Sequence, residues 1–446
     1  MFFGDIMLEF INKFIWAIAT SFIILSSIYF SLSLGFVQFK FREMFKNLFK
    51  KENREIGITP VQSFFMTLGS RIGVGSIAGV SLALHLGGPG SIFWMWLSAF
   101  LSASNTFCET VLGIIYREKD GKDYKGGPSY YIRNGLNKPK LGTIYALIIL
   151  ISFVGGFVGI QGNTITKSFL EIYKVPKFVI GIILVFFVSI IVFGGLKRIA
   201  AISSKLVPFM SIMYIGIALF IGIKNINVIS QIFKTIITSA FTLKSIYGGF
   251  LGSLIIGIQR GIFSNEAGLG TGSITSSTSS TDSPVSQGYI QMLGIYVTTL
   301  LICTATVIIV MTSNYSELVL NDVNGIEITQ YAFKYHLGNF GNVLLFLSVL
   351  LFSFTTILTG YYDGESSLKY LFSNIKDKHL IILKVISLFV LFLGCIIPSE
   401  TLWSFVDILM AGIAIINIYA LFKLKGDVKH ELRYYNLKKY DKINKR

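Results

Sequence analysis

Charge is scarce in this sequence. Aspartate, glutamate, lysine and arginine supply 14% of its 446 residues, where soluble domains carry about 25%, and the shortage excludes a water-facing surface over most of the chain. Cysteine is scarcer still. Cys108, Cys303 and Cys395 stand far apart in apolar runs with no CxxC spacing, which excludes a disulfide framework and leaves buried packing residues. The four histidines, His85, His336, His379 and His430, are as scattered and make no metal-ligand set. No nucleophile–base–acid set, phosphate loop or nucleotide-binding domain is present, so the sequence predicts no enzyme, no catalytic residue, no cofactor and no direct ATP drive. "GVGSIA" at 73–78 has the GxGxxA spacing of a dinucleotide fingerprint, but no strand precedes it and its flanks are membrane-length.

What is present is apolar. Hydrophobic residues make up 53% of the chain, and segments long enough to cross a bilayer core as helices recur along its whole length. Strand alternation is absent, so the expected class is an all-α integral membrane protein. Hydropathy places about eleven transmembrane helices near 10–35, 62–86, 91–115, 143–168, 177–194, 204–223, 247–272, 287–311, 341–366, 380–397 and 401–422. The opening "MFFGDIMLEF" has no basic n-region, and the first span is expected to be retained. The formal net charge of +16 sits between spans and in the tail, in "KFREMFKNLFKKENR", "YREKDGKDYKGG", "GGLKRIAAISSK" and the stretch after 422. That is the positive-inside pattern, not a nucleic-acid surface. It predicts a multi-pass protein of the cytoplasmic (inner) cell membrane with its N-terminus outside and C-terminus inside. The partners expected are the lipid bilayer and a transported solute, with no nucleic acid and no obligate protein partner evident.

Two spans differ from the rest. "LGSRIGVGSIAGVSLALHLGG" and "GIQRGIFSNEAGLGTG" are each interrupted at mid-length by clustered glycines and small polar residues, and each is followed by four further spans. Paired interrupted segments in corresponding positions point to a transporter site made of broken helices. The division expected is a first helix (1–36), a basic cytoplasmic loop (37–61), a five-helix repeat (62–223), an extracellular connection (224–246), a second, inverted five-helix repeat (247–422) and a basic tail (423–446).

Unwound backbone in hydrocarbon leaves N–H and C=O groups without partners, and a bound zwitterion with a small cation suits both kinds of helix end. The residues singled out are Gly73, Val74, Gly75 and Ser76 in the first break, and Ser264, Asn265, Glu266, Gly268 and Gly270 in the second. Glu266 either contacts substrate or a gate, or forms a structural pair with Arg71 or Arg260. Thr355 and Thr356 offer hydroxyls to a hard cation, or bond their own helix carbonyls. Gln161 and Asn163 either bind substrate or bridge helices. Asp282, Ser283 and Pro284 close the run "SITSSTSSTDSP" as a helix start, and the run itself is expected to be a cytoplasmic connection.

The chain resembles the alanine/glycine:cation (sodium:alanine) symporter family over nearly its full length. "LGSRIGVGSIAGV", "LGGPGSIFWMW", "CETVLGIIYREKDGKDYKGGPSYYI", "VFGGLKRIA", "GIQRGIFSNEAGLGTGS" and "TDSPVSQGYIQMLGIYVTTLLICTAT" carry the likeness. The resemblance implies a LeuT-like fold, that of the bacterial leucine transporter: a five-plus-five inverted repeat behind one extra N-terminal helix. It implies Na+-coupled symport of a small neutral amino acid such as alanine or glycine. It places Gln161 near the substrate, and Na+ among first-break carbonyls, Gly73 included, with Thr355 and Thr356. The family usually has GTGN where Val74 and Ser76 stand here, alanine at Gly162, and glycine, tryptophan or tyrosine where this chain has Thr359 and Asp363. Those departures bear on cargo and ion, and Thr359 is counted with the substrate residues. The alternatives are a same-fold carrier of another small polar amino acid, an H+-driven one with Glu266 or Asp363 carrying the proton, or a channel.

Overall fold

The computed structural model describes residues 2–49, 56–242, 249–281, 283–314, 325–372 and 375–444. α1 (Phe2–Ser33) is followed by a short helix, α2 (Phe41–Leu48). α3 (Pro60–Arg71) and α4 (Ala78–Gly87) are the halves of one interrupted segment, and α5 (Gly90–Ile115) returns alongside it. A hairpin of β1 (Glu118–Asp120) and β2 (Asp123–Lys125) precedes α6 (Pro128–Asn134). Then come α7 (Pro139–Leu170), α8 (Lys177–Val192), α9 (Gly195–Lys224) and α10 (Ile226–Ala240). α11 (Gly249–Asn265) and α12 (Thr271–Ser276) are the halves of the second interrupted segment. The chain continues through α13 (Pro284–Met311), α14 (Ile326–Leu371), α15 (Asp377–Ile396), α16 (Ser399–Lys423) and α17 (Lys425–Asn444).

Among the described residues, seven of these helices (α1, α7, α9, α13, α14, α15 and α16) are long and apolar enough to cross a membrane. The other four expected spans fall short for visible reasons. Those at 62–86 and 247–272 are broken at mid-length; α5 buries a file of polar residues that includes Asn105, Thr106 and Glu109; α8 has only 16 residues. α14 is itself two helices joined at Gly338, whose φ of 62° only glycine adopts without strain, so the membrane-length part begins near the expected 341.

The outer face confirms lipid as the solvent. Ile212 on α9, Phe186 on α8 and Phe389 on α15 are 72%, 59% and 59% exposed, an apolar surface that water would drive into association. Polar residues go inward instead, and α5 lies at the centre of the bundle, packed on α1, α11 and α13. Its approach to α11 is close enough that a Cβ on Gly257 would stand 2.2 Å from the Ser91 carbonyl oxygen.

Local signals in the sequence set several helix starts. Thr59 caps α3 in a reciprocal box with Gln62, with Pro60 in the first turn. Ser283 caps α13 by accepting from the Ser286 N–H, with Pro284 next; Asp282 lies outside the described residues. The run expected to be a plain connection is buried from Ser276 to Thr281 and pairs with Ile58. Its carbonyls need donors, and Arg117 supplies them, donating to Ser277, Ser279 and Thr281 at 3.2, 2.5 and 2.7 Å.

The basic loop at 37–61, the expected extracellular connection at 224–246 and the basic tail at 423–446 each contain a helix: α2, α10 and α17. α17 docks on α2 through Glu43, which accepts from Lys439 and from the Tyr435 hydroxyl at 3.0 Å. Burial by itself raises the Glu43 carboxyl, and the hydrogen bonds from Lys439 and Tyr435 more than offset it, leaving the group below its ordinary value. A lowered folded value stabilises the docked state above the unfolded value and loses that contribution as pH falls through the folded one. Protection of the α17 amides, taken relative to the intrinsic exchange rate at each pH, is therefore expected to fall as pH drops below about 4, and Glu43→Gln to lower it already at pH 7.

Candidate functional site

α3 leaves helical geometry after Arg71. Gly73 is extended (φ −121°, ψ −156°), Val74–Ser76 make one tight turn, and α4 begins at Ala78. The break redirects one donor in particular: the Val74 N–H, which would have bonded the Ser70 carbonyl in a continuous helix, donates instead to Gln161 Oε1 on α7 at 3.2 Å. The carbonyls of Gly69 and Ser70 then face α14, where the Thr355 hydroxyl is 3.1 Å from Gly69 O and the Thr356 hydroxyl is 3.0 and 3.2 Å from Gly69 O and Ser70 O. Thr356 Oγ1 is also 3.0 Å from its own helix carbonyl at Phe352. One hydroxyl has one hydrogen, so this cluster holds more acceptors than donors. Gly73 allows a close approach here. Its carbonyl accepts from the Ser76 N–H at 3.1 Å, and a Cβ at Gly73 would lie 2.5 Å from Thr356 Oγ1.

The second break runs from Glu266 to Gly270. Glu266, Gly268 and Gly270 all have positive φ (58°, 90° and 87°), and the Glu266 carbonyl accepts from the Leu269 N–H at 3.2 Å. Asn265 holds the turn from inside, its Oδ1 accepting from the Ala267 N–H at 2.9 Å while its amide donates to Thr299 at 2.9 Å. The two breaks touch directly. Ser76 and Ser264 share a hydrogen bond of 2.8 Å, and a Cβ on Gly75 would meet Phe263 Cδ1 at 2.8 Å and Ser264 Cα at 3.1 Å. Ser70 and Thr271 donate to the two oxygens of Glu266 at 2.8 and 2.6 Å, so this carboxylate ties the end of α3 to the start of α12.

Neither arginine forms an ion pair with Glu266, one of the two alternatives the sequence left open. Arg260 is ion-paired with Asp407 on α16, which also accepts from Gln259 at 2.9 Å; Arg71 donates to the Gln291 carbonyl at 3.0 Å. Asn163 does not join the breaks either: its amide donates to the Ile397 carbonyl at 2.5 Å and bridges α7 to the end of α15. Thr359 lies a turn beyond Thr355, bonded to the Thr355 carbonyl at 3.0 Å and 3.3 Å from Met66 O. Phe157, Phe263 and Trp403 stack in a row beside the second break, with centroids 5.1 and 4.5 Å apart.

The model of the sodium:alanine symporter family matches residues 1–446. The chain belongs to that family. Among its relatives, the amino-acid carrier protein AlsT of Bacillus subtilis is 36% identical over 93% of this chain and 88% of its own. The probable sodium/glutamine symporter GlnT of the same organism is 34% identical over 96% and 90%. The sodium/alanine symporter AgcS of Methanococcus maripaludis is 32% identical over 96% of each chain. Among solved structures, a mutant of the Eremococcus coleocola manganese transporter superposes with a TM-score of 0.52 at 15% identity, over 83% of this chain and 80% of that one. At that identity the likeness concerns the fold alone. The sodium:alanine symporter family consists of transporters and not enzymes, and this multi-pass membrane protein is one of them.

Within this symporter the sequence reading missed three buried polar residues: Glu109 on α5, and Asp407 and Asn417 on α16. Asn417 donates to the Gly268 carbonyl at 2.9 Å and so satisfies backbone that the second break exposes. Tyr145 on α7 does the same for the Leu269 carbonyl at 2.5 Å. The signal that could have found the first three is simple, since each is a strongly polar group inside an apolar run of membrane length. Tyr145 carried no such signal.

Close approach at Gly73 gives a direct test. Gly73→Ala is expected to lower thermal stability in detergent by about 1–3 kcal/mol through overpacking against Thr356. Gly79→Ala, whose added methyl meets nothing within 4 Å, is expected to leave the melting temperature unchanged or slightly raised.

Proposed function

We propose that this symporter carries a small neutral amino acid into the cell together with Na+, from a site between the two breaks. The observation that carries the reading is the surplus of acceptors at Thr356, whose single hydroxyl hydrogen faces three carbonyl oxygens within 3.2 Å. Oxygens so placed suit a hard cation that all of them can approach at once. Relatives named as sodium symporters support Na+ as that ion. Its ligands would be the Gly69 and Ser70 carbonyls with Thr355 and Thr356.

Local bonding supports a neutral cargo: Arg260 is ion-paired with Asp407, and both oxygens of Glu266 already accept from the neutral hydroxyls of Ser70 and Thr271. The short approaches at Gly73 and Gly75 support a small one. N–H groups opening α4 suit the substrate carboxylate, and the hydroxyls of Ser76 and Ser264 and the Gln161 amide N–H, which has no partner of its own, lie where the two breaks meet. Na+ bound across α3 and α14 would fix the first break in the shape the amino acid needs, which makes the two affinities reciprocal. The architecture that fits is α1 followed by two inverted five-helix repeats, α3–α9 and α11–α16, rocking about the site. Basic segments on one side of the bilayer put the N-terminus outside and α17 in the cytoplasm, with the protein in the inner cell membrane.

Proteoliposomes given labelled alanine, glycine, serine and glutamine, with an inward Na+ gradient or with K+ in its place, test this reading. Alanine or glycine is expected to accumulate only with Na+; equal uptake in K+ would remove the coupling, and accumulation of glutamine alone would remove the small cargo. Thr356→Val is expected to raise the Na+ concentration for half-maximal uptake by about tenfold or more, equivalent to at least about 1.4 kcal/mol, while saturating Na+ restores most of the rate.

A further inference from the structure

Beside the site just described lies a second buried polar group that the Na+ reading does not use. Glu109 on α5 is fully buried. Its Oε1 accepts from the Asn417 amide at 2.7 Å, the backbone N–H groups of Gly268 and Gly270 also act on the carboxyl, and its Oε2 makes no full hydrogen bond. The same Asn417 nitrogen donates to the Gly268 carbonyl at 2.9 Å. Tyr131 donates to Asn417 Oδ1 and so fixes which end of the amide faces Glu109. One side chain thus joins this carboxylate to the unwound turn of α11.

The charge balance around it is incomplete. Glu109, Glu266 and Asp363 are each no more than 1% exposed, as is Arg71, the cation that acts on Glu109 and Glu266. Asp363 faces Glu266, and the Tyr145 hydroxyl lies within electrostatic reach of all three carboxylates; Cys108 and Tyr131 also face Glu109. With every carboxylate ionised the group would hold a net charge of −2 away from water, a cost that proteins avoid by pairing or neutralisation. Glu266 has hydroxyl donors on both oxygens; Glu109 does not.

We propose that Glu109 accepts a second monovalent cation, separate from the one at Thr355 and Thr356, and that Asn417 transmits its arrival to the Glu266–Gly270 turn. Either a proton on Oε2 or a second Na+ between Glu109 and the Gly268 carbonyl supplies the missing positive charge. The inference rests on the symport reading, and deepens it by assigning a second coupling ion to a named carboxylate.

Steady-state accumulation of labelled alanine in proteoliposomes decides the matter, because its logarithm rises with the logarithm of each gradient by the number of ions coupled. With one Na+ and one H+, a tenfold gradient of either ion multiplies accumulation by about ten; with two Na+, a tenfold Na+ gradient multiplies it by about a hundred and pH has no effect. Glu109→Gln keeps the acceptor for Asn417 and removes the charge. It is expected to abolish the proton response in the first case, or to reduce the Na+ response to about tenfold in the second. Should Glu109→Gln not give a monodisperse protein, Asn417→Ala takes its place, since it leaves the carboxylate and removes the side-chain bridge to the Gly268 carbonyl; the second ion's response is expected to fall and the first to stay. A wild type that couples one Na+ with no proton response, or a variant that matches the wild type in both gradients, would overturn the proposal and leave Na+ symport standing. Failure of the wild type to accumulate alanine with Na+ would instead strike the underlying reading.

Discussion

Everything near the centre of this protein follows from one constraint: backbone N–H and C=O groups released by unwinding a helix inside the bilayer must find partners there, at a cost of several kcal/mol for each group left without one. The chain unwinds twice, after Arg71 and after Asn265, and the surrounding helices supply the partners. Gln161 takes the Val74 N–H, Thr306 donates to the Ser76 carbonyl at 2.7 Å, and Asn417 and Tyr145 donate to the Gly268 and Leu269 carbonyls. The protein is a scaffold for two short lengths of irregular backbone.

This explains why polarity runs inward. α5 would cross a bilayer poorly by itself, yet at the middle of the bundle its Asn105 and Glu109 meet other side chains, with Asn105 donating to Ser26 and Ser27 on α1 at 2.9 and 3.1 Å. The π-helical stretches Leu150–Phe157 in α7 and Tyr296–Cys303 in α13 lie beside the breaks. Such stretches recur at functional sites, because the wider turn shifts the register of the side chains that follow. Here they precede Gln161 and carry Thr299 and Cys303, which hold Asn265 and Ser264.

Ion pairing follows the same logic. A buried charge needs a partner more than it adds stability, and Arg260 with Asp407 fastens α11 to α16 next to the Phe263–Trp403 stack. Glu266 uses neutral donors from both interrupted segments, which makes it the joint between them. Arg71 keeps two guanidinium nitrogens without partners, and Glu109 keeps one oxygen. Polar capacity therefore remains on the α12 side of the breaks after the local bonds are made.

The sequence by itself determined that the chain is a helical membrane protein, roughly where its long apolar helices lie, and where two of them break; it did not show the shorter helices α2, α6, α10 and α17. Hydropathy and glycine clusters are local, and in lipid the backbone leaves few alternatives to a helix. Family membership was also legible, because the motifs that carry it are contiguous stretches around the breaks. What the tertiary structure decided was partnership. It gave Arg260 to Asp407 and not to Glu266, turned Asn163 to the end of α15, set the Gly69 and Ser70 carbonyls against Thr355 and Thr356, and brought Glu109 and Asn417 to the second break. Those choices join residues 147 to 308 positions apart in the chain, the separations of Arg260–Asp407 and Asn417–Glu109. No periodicity or local motif encodes such a pairing; it is set by which helix faces pack together once the polar groups have been driven inward.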